Sequence, residues 1–240
     1  MKLKKSVFVT ALAAVSVLSL AAQQGKSSEI SVEEFYLKES VPVMVIREQA
    51  QSEDREGKLI ALDYIREAIE SGDKSDEMRA VLQDLALEGI LNKNRSEGRV
   101  ANNYAEVRIR AVEYLGEIGT KEASEALVKV ALVEEEPAVI TAAFRSLTKI
   151  GSNEKGRTLD TANWIFNRFN AMNPDNRLAL SYLEAIEIFI PKMQQTTDDE
   201  KRIYSDTLEK VRGISSNYKY ITSVRDRAKS VLMTLAKSKR

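Results

Sequence analysis

The sequence predicts an all-α fold, a right-handed α-solenoid of about five irregular helical hairpins. A skeleton of Val, Ala, Leu and Ile occupies residues 107–119, and the same skeleton returns at residues 139–151. A third copy covers residues 224–236, and weaker copies begin near residues 57 and 177. A repeat period of roughly 30 to 45 residues is typical of stacked helical hairpins. The uneven intervals between the copies predict an irregular stack.

Helical periodicity explains this skeleton. Its four apolar positions fall within about 80° on a helical wheel and therefore form one stripe. The Ala in the middle of the stripe lets a neighbouring helix approach closely. Gly119 can adopt the left-handed conformation that ends a helix. Each copy therefore predicts one helix that ends at a small residue. In the first copy the stripe consists of Val107, Ala111, Leu115 and Ile118.

A second helix is expected after each of these endings. Thr120 is a suitable N-cap for the next helix, and Pro137 can open the helix after that, because the first helical position needs no backbone N–H. A capping box at Thr197–Glu200 starts a later helix, while Pro191 ends or kinks the one before it. In chain order, helices are predicted near residues 55–71, 75–92, 105–118, 121–134, 138–150, 158–172, 176–190, 198–212 and 221–238.

Two shorter elements are expected ahead of these helices. Ser31–Glu34 forms another capping box, so a short helix should follow through about Lys38. Residues 43–51 favour a helix, but the apolar run V-P-V-M-V-I is also compatible with a strand.

The repeat resembles HEAT-like repeats, in particular the short bacterial type that also occurs in phycobilisome-lyase relatives. The first helix of that type carries V-R-x-x-A-x-x-x-L-G-x-[IL]-G, and the match is specific over residues 105–151. In the second copy Ile140 replaces the Arg of the pattern. The resemblance implies a binding surface or scaffold and brings no catalytic residues with it. The matching residues are Val107, Arg108, Ala111, Leu115, Gly116, Ile118 and Gly119, then Val139, Ala143, Leu147, Ile150 and Gly151, then Val224, Arg225, Ala228 and Leu232.

The N-terminus predicts export. Lysines at positions 2, 4 and 5 precede an apolar run over residues 7–20, and small residues follow at a suitable cleavage position. We therefore expect a signal peptide at residues 1–21, a flexible polar tail at 22–30 and the solenoid domain at 31–240, in a periplasmic or secreted protein. An uncleaved anchor is the alternative, although the apolar run is shorter than the roughly 20 residues that span a bilayer comfortably.

Composition limits the chemistry that is available. The chain has no Cys and no His, which excludes disulfides, thiol nucleophiles, His-containing triads and the usual zinc sites. The formal net charge is zero, and loss of the three lysines with the signal peptide leaves a slight acidic excess, so nothing points to nucleic acid. We expect no cofactor, no metal and no catalytic residue.

Carboxylates and arginines are the remaining candidates for chemistry. The acidic runs at residues 134–136 and 198–200 lie at predicted helix starts, where they complement the helix dipole. The alternative is an acid/base pair or a hard-cation site. Arg108 and Arg110, echoed by Arg225 and Arg227, are interpreted as turn-binding and surface residues, with a ligand clamp as the alternative.

A polar insertion at residues 92–103 separates two of the repeats. It is interpreted as a solvated loop, and the alternative is an exposed loop that contacts a partner.

Three aromatic residues are candidates for protein binding: Trp164, Tyr218 and Tyr220. Trp164 is the only Trp and lies about 160° from the centre of the apolar stripe of its helix. A partly exposed Trp is a favoured interface anchor. The competing expectation is that Trp164 is buried against the next repeat, and the two tyrosines before the last helix carry the same ambiguity.

These features together predict an exported, non-enzymatic protein-binding scaffold or adaptor in the cell envelope, with a protein partner of unknown identity. One alternative is a structural envelope component that self-assembles through the C-terminal end of the stack, since the last unit offers only one helix. The other is a carboxylate-based hydrolase. Binding to nucleic acid or insertion of the mature chain in a membrane is not expected.

Overall fold

The computed structural model describes residues 41–91, 93–170 and 173–237, which are mostly helical. The predicted signal peptide (1–21), tail (22–30) and short helix after Ser31 lie outside the described residues. The helices are α1 Val41–Ala50, α2 Arg55–Glu70, α3 Asp76–Ala86, α4 Ala105–Ile118, α5 Lys121–Val133, α6 Pro137–Ile150, α7 Arg157–Asn170, α8 Asn176–Phe189, α9 Asp198–Ser216 and α10 Thr222–Lys237. Single 3-10 turns lie at Glu154–Gly156 and Ile190–Lys192, and strands β1 Arg95–Ser96 and β2 Arg99–Val100 form a hairpin between α3 and α4.

The helices pack in two layers. Helices α2, α4, α6, α8 and α10 follow one another as the first layer, and α1, α3, α5, α7 and α9 follow one another as the second layer. The repeat units are the hairpins α2–α3, α4–α5, α6–α7 and α8–α9, and α10 alone represents the fifth unit. The prediction of an all-α solenoid is confirmed, while its right-handed sense stays a prediction. No described helix is both long and apolar enough to cross a membrane.

The predicted apolar stripe is the centre of the core. Val107, Ala111 and Leu115 are completely buried, and so are the counterparts of Val107 and Ala111 in the other two copies. Gly116 lets α4 approach its first-layer neighbour α6 closely. A Cβ at this position would lie only 2.7 Å from the Ser146 Oγ of α6. The buried counterparts are Val139, Ala143, Val224 and Ala228.

Helix ends follow the predicted signals. Gly119 and Gly151 adopt left-handed φ values of 73° and 69° directly after α4 and α6. The Thr120 side chain accepts a hydrogen bond from the Ala123 backbone N–H at 3.1 Å at the start of α5, and Pro137 is the first residue of α6. The capping box formed by Thr197 and Glu200 opens α9.

Helix α1 confirms the helix that was favoured over residues 43–51, while α3 and α9 differ by several residues from their predicted ends. Helix α1 shows that the strand alternative for residues 43–51 is wrong. Helix α3 ends at Ala86 instead of residue 92, because the chain turns at Gly89 (φ 72°), where a side chain would collide with the Asn102 carbonyl. Helix α9 continues to Ser216, four residues beyond its predicted end at 212.

The insertion between α3 and α4 is exposed to solvent at residues 93–99, as predicted, and in addition forms a hairpin. Arg95 pairs with Val100 across a tight turn with positive φ at Glu97 and Gly98. The next residues lead back into the protein, and the side chain of Asn102 is buried. The insertion is therefore a small hairpin whose base is fixed to the repeats.

Candidate functional site

Trp164 is half exposed on the outer face of α7, with 50% of its surface accessible. The same helix directs Leu159, Ala162 and Ile165 into the core, so the indole lies on the opposite side. The expectation that the next repeat buries Trp164 is wrong, because a groove stays open between α7 and α9 beside the ring.

The two tyrosines before α10 occupy different environments. Tyr218 is 83% exposed in the connection between α9 and α10. Tyr220 is only 2% exposed, and its hydroxyl donates a hydrogen bond to Asn170 Oδ1 at the end of α7. Burial, with a smaller contribution from the charge of Asp175, raises the pKa of Tyr220 to about 12. The buried alternative is therefore confirmed for Tyr220, whose ring lies inside the protein.

Trp164 and Tyr218 do not form one site. Trp164 lies within α7, whereas Tyr218 lies in the α9–α10 connection, and no ring contact joins them in the part of the chain that the structure describes. Both are accessible, and Trp164 lines a groove to which Tyr218 does not contribute.

The groove beside Trp164, named here the Trp164 groove, encloses about 430 Å³. Its apolar floor combines the indole with Leu132, which is 39% exposed at the end of α5. On the α9 side, the Arg202 guanidinium donates two parallel hydrogen bonds of 3.3 Å to the Asp160 carboxylate. An exposed apolar centre with a polar rim is the usual anatomy of a protein-binding hot spot. The other lining residues are Thr161, Asn167 and Asp206.

Arg168 holds the Trp164 groove in shape. Its guanidinium lies 5.3 Å from the centre of the Trp164 ring and 4.7 Å from that of Phe169. The same group donates hydrogen bonds to the Leu132 carbonyl at 3.2 Å and to the Glu134 carbonyl, both at the end of α5. One side chain thus connects the two helices and supports the indole in its exposed position. The sequence signal was available, because Arg168 follows Trp164 by one helical turn.

A second groove lies beside the first, between α5 and α7. It encloses about 440 Å³ and is lined mainly by polar and charged residues. Lys121 at the start of α5 pairs with Glu154 ahead of α7 at 3.0 Å. The two helices are therefore linked near their starts by this pair and near their ends by Arg168, which shows that they run in parallel. The lining residues are Lys121, Ser124, Glu125, Val128, Lys129, Ser152, Glu154, Arg157 and Thr158.

The interpretation of Arg108 as a surface residue is wrong, because its side chain is buried. It is 1% exposed, and its Nε donates to Glu134 Oε2 at 2.7 Å. Its NH1 donates to the Glu88 carbonyl at 3.2 Å and to Asn103 Oδ1 at 2.8 Å. Arg108 therefore joins the end of α3, the insertion and the end of α5. Its turn-binding role is confirmed in part, while Arg110 lies at the surface near Asp63.

A second buried pair continues this polar core. The Lys58 ammonium lies 3.1 Å from Glu88 Oε1 and donates to the Ala50 carbonyl at the end of α1 at 3.0 Å. The Asn102 side-chain amide donates to the same Glu88 oxygen at 2.7 Å. Buried charges are tolerated only when paired and hydrogen-bonded, and these groups satisfy that condition. The insertion is thus fixed to the stack by Asn102.

The carboxylate runs are engaged in helix termini. Glu134 Oε1 accepts the backbone N–H groups of Glu135 and Glu136 at 2.9 Å each, just ahead of α6. Glu200 accepts backbone N–H groups at the start of α9, and these bonds, above all that from Thr197, lower its pKa. The helix-terminus interpretation agrees with both arrangements, although the ion pair of Glu134 with Arg108 was not predicted. Among the described residues no group of three acidic side chains is placed to hold a metal ion.

The fold is that of a helical-repeat protein. Both grooves lie between helices of the second layer, so that this face of the stack is accessible. A family profile described as HEAT repeats matches residues 99–162, which include α4, α5 and α6 and the first part of α7. This part of the chain is therefore similar to HEAT repeats, as the repeated skeleton implied. A comparison with curated proteins found no match.

Proposed function

We propose that this protein is an exported, non-enzymatic scaffold or adaptor that binds a protein partner in the cell envelope through the Trp164 groove. The main support for this proposal is that Trp164 is half exposed beside a preformed groove. A large aromatic side chain at a solvent-exposed position loses little conformational entropy on binding, and such residues are enriched among interface hot spots. The similarity to HEAT repeats supports a binding role, because repeat stacks present extended surfaces.

The rest of the Trp164 groove supports a binding role over a purely structural one. Arg168 already satisfies carbonyls of α5, so the indole is not needed to connect the helices. The indole instead leaves apolar surface in water, which a partner would remove at roughly 25 cal/mol per Å². Leu132 and Val133, 39% and 38% exposed, add apolar surface at the end of α5.

Affinity capture from producing cells tests the proposal. The full chain with a C-terminal tag should recover a stoichiometric protein partner. Trp164→Ala should abolish recovery, because the anchor is lost, while Tyr218→Ala is the matched control for an exposed aromatic residue outside the groove. Equal recovery by the wild-type protein and by Trp164→Ala would contradict the proposed binding site.

The compartment is tested separately. The signal-peptide proposal expects a mature chain that begins at Ala22, which sequencing of the N-terminus from a fractionated culture would detect. Recovery of a chain that begins at Met1 only in the cytoplasm would refute export.

Self-assembly is a second candidate, favoured by apolar residues exposed on α10 and just before it. Met233 is 64% exposed and Ile221 is 54% exposed, while α10 packs on α8 and α9. Light scattering over increasing concentration should then show oligomers that Met233→Glu dissociates. A monomer at every concentration would refute self-assembly and leave the Trp164 groove unaffected.

A further inference from the structure

The second-layer face carries a charge pattern next to Trp164. At the start of the α5/α7 groove, Lys121 is neutralised by Glu154. Lys129 and Arg157 are exposed on opposite sides of this groove, and neither forms an ion pair with any described residue. The described lining residues include three basic and two acidic side chains. Both acidic ones, Glu154 and Glu125, act electrostatically on Lys121. The positive charge of the groove is therefore that of Lys129 and Arg157.

In the Trp164 groove, in contrast, the charged side chains already form ion pairs within the protein. Asp160 pairs with Arg202, and Asp206 pairs with Lys210. The surface that this groove offers to a ligand is therefore mainly the apolar surface of Trp164 and Leu132. The face thus offers two adjacent features, an apolar anchor site and a basic site.

The spacing between these two features is fixed by α7. Arg157 precedes Trp164 by seven positions, which corresponds to about 10 Å of helix rise. An extended peptide covers about 10 Å with three residues. A single extended segment can therefore contact both features at once.

We propose that the occupant of this face is a short acidic segment of another protein. The segment places an apolar side chain on Trp164 and Leu132, and an Asp or Glu three or four positions away between Lys129 and Arg157. This inference rests on the proposed protein-binding function and specifies the chemistry of the partner. Opposite charges would steer the segment to the groove and fix its direction, while the apolar contact would supply most of the affinity.

Selection from a display library of random peptides on the immobilised full chain tests the proposal. The enriched peptides should combine an apolar residue with an acidic residue three or four positions away. For one such peptide, the dissociation constant is measured by fluorescence anisotropy against the wild-type protein and its variants. Raising the salt concentration should weaken binding, since the basic site is exposed.

The variants separate the two features. Trp164→Ala should weaken binding by about 30-fold, as expected for a hot-spot residue, and Thr161→Arg, which fills the Trp164 groove, gives a second test. The pair Lys129→Glu and Arg157→Glu should weaken binding at least about tenfold and remove most of its salt dependence. The matched control is the pair Arg145→Glu and Lys219→Glu, exposed cations outside both grooves, which should leave the affinity within about twofold.

The outcomes distinguish this inference from the proposed function. Peptides that depend on Trp164 but not on Lys129 and Arg157 would overturn the acidic segment and keep the binding site. Enrichment of basic or uncharged peptides would do the same. Peptides that bind independently of Trp164 would overturn both proposals. A single-stranded oligonucleotide that binds this face as tightly as the peptides would also overturn the acidic segment. Circular dichroism melting of each variant shows whether it is folded.

Discussion

Replacement of Arg108 by Met should strongly destabilise the stack. The substitution removes both guanidinium contacts to Glu134, at 2.7 and 3.4 Å, and leaves that carboxylate buried with only two backbone N–H donors. It also removes the donor to Asn103. Breaking a buried ion pair by removing one partner costs roughly 3–5 kcal/mol. For a domain of this size, that cost corresponds to a fall in Tm of roughly 6–20 °C.

Urea unfolding followed by circular dichroism measures this cost, and the same repeat position supplies a matched control. Arg225 occupies the equivalent place in the last copy, but no carboxylate pairs with it among the described residues. Arg225→Met should therefore cost less than about 1 kcal/mol. The double variant with Glu134→Gln should recover about 1–2 kcal/mol relative to Arg108→Met alone, because the unpaired charge is gone. A cost for Arg108→Met within about 1 kcal/mol of zero would refute this reasoning.

Four further substitutions test the fold. Gly116→Val should lower the free energy of unfolding by about 1–3 kcal/mol, because the new side chain collides with α6. Gly213→Ala, in open space on α9, should raise it by up to about 1 kcal/mol. Urea unfolding that ranks the two variants in the opposite order would contradict the close packing of α4 and α6. Thr197→Ala should cost about 1 kcal/mol in thermal melting through loss of the N-cap, and an unchanged Tm would refute its capping role. The pKa of Tyr220 is raised in the folded state, so its contribution to stability is complete below about pH 10 and is lost as the pH rises towards 12. Tyr220→Phe should remove this part of the pH dependence in unfolding experiments, and a dependence that persists unchanged would show that Tyr220 is not its source.

Local sequence signals determine most of the helical framework. Gly119, Thr120 and Pro137 act within their own helix ends, so a reading of neighbouring residues was sufficient to place α4, α5 and α6. The stripe that begins at Val107 has the period of a helix and is fully buried. The sequence match to HEAT repeats covers the same region, residues 99–162.

The buried charges could not be predicted in the same way, because their partners are distant in the sequence. Arg108 and Glu134 are 26 residues apart, and Asn102 and Glu88 are 14 apart. The packing of α4 on α5 brings Arg108 to Glu134, and the return of the insertion to the end of α3 brings Asn102 to Glu88. The Arg position of the repeat pattern is buried in both strong copies, where it is occupied by the charged Arg108 in the first and by the apolar Ile140 in the second.

The candidate site was predicted in part. The wheel position of Trp164 placed it off the apolar stripe, but its exposure depended on whether α9 covers it, which is a tertiary property. Tyr220 shows the opposite case, because Asn170 from α7 receives its hydroxyl. Two aromatic residues with similar sequence contexts, Tyr218 and Tyr220, therefore differ completely in accessibility.

Site-specific photocrosslinking in producing cells shows whether a partner protein contacts the Trp164 groove. A photoreactive amino acid at Asn167, which is exposed beside Trp164, is compared with the same amino acid at Arg145, which is exposed on α6 in the first layer. We expect a discrete crosslinked protein from position 167 that is absent from position 145 and disappears when Trp164 is replaced by Ala. Equal crosslinking from both positions, or a product at 167 that persists without Trp164, would contradict this expectation.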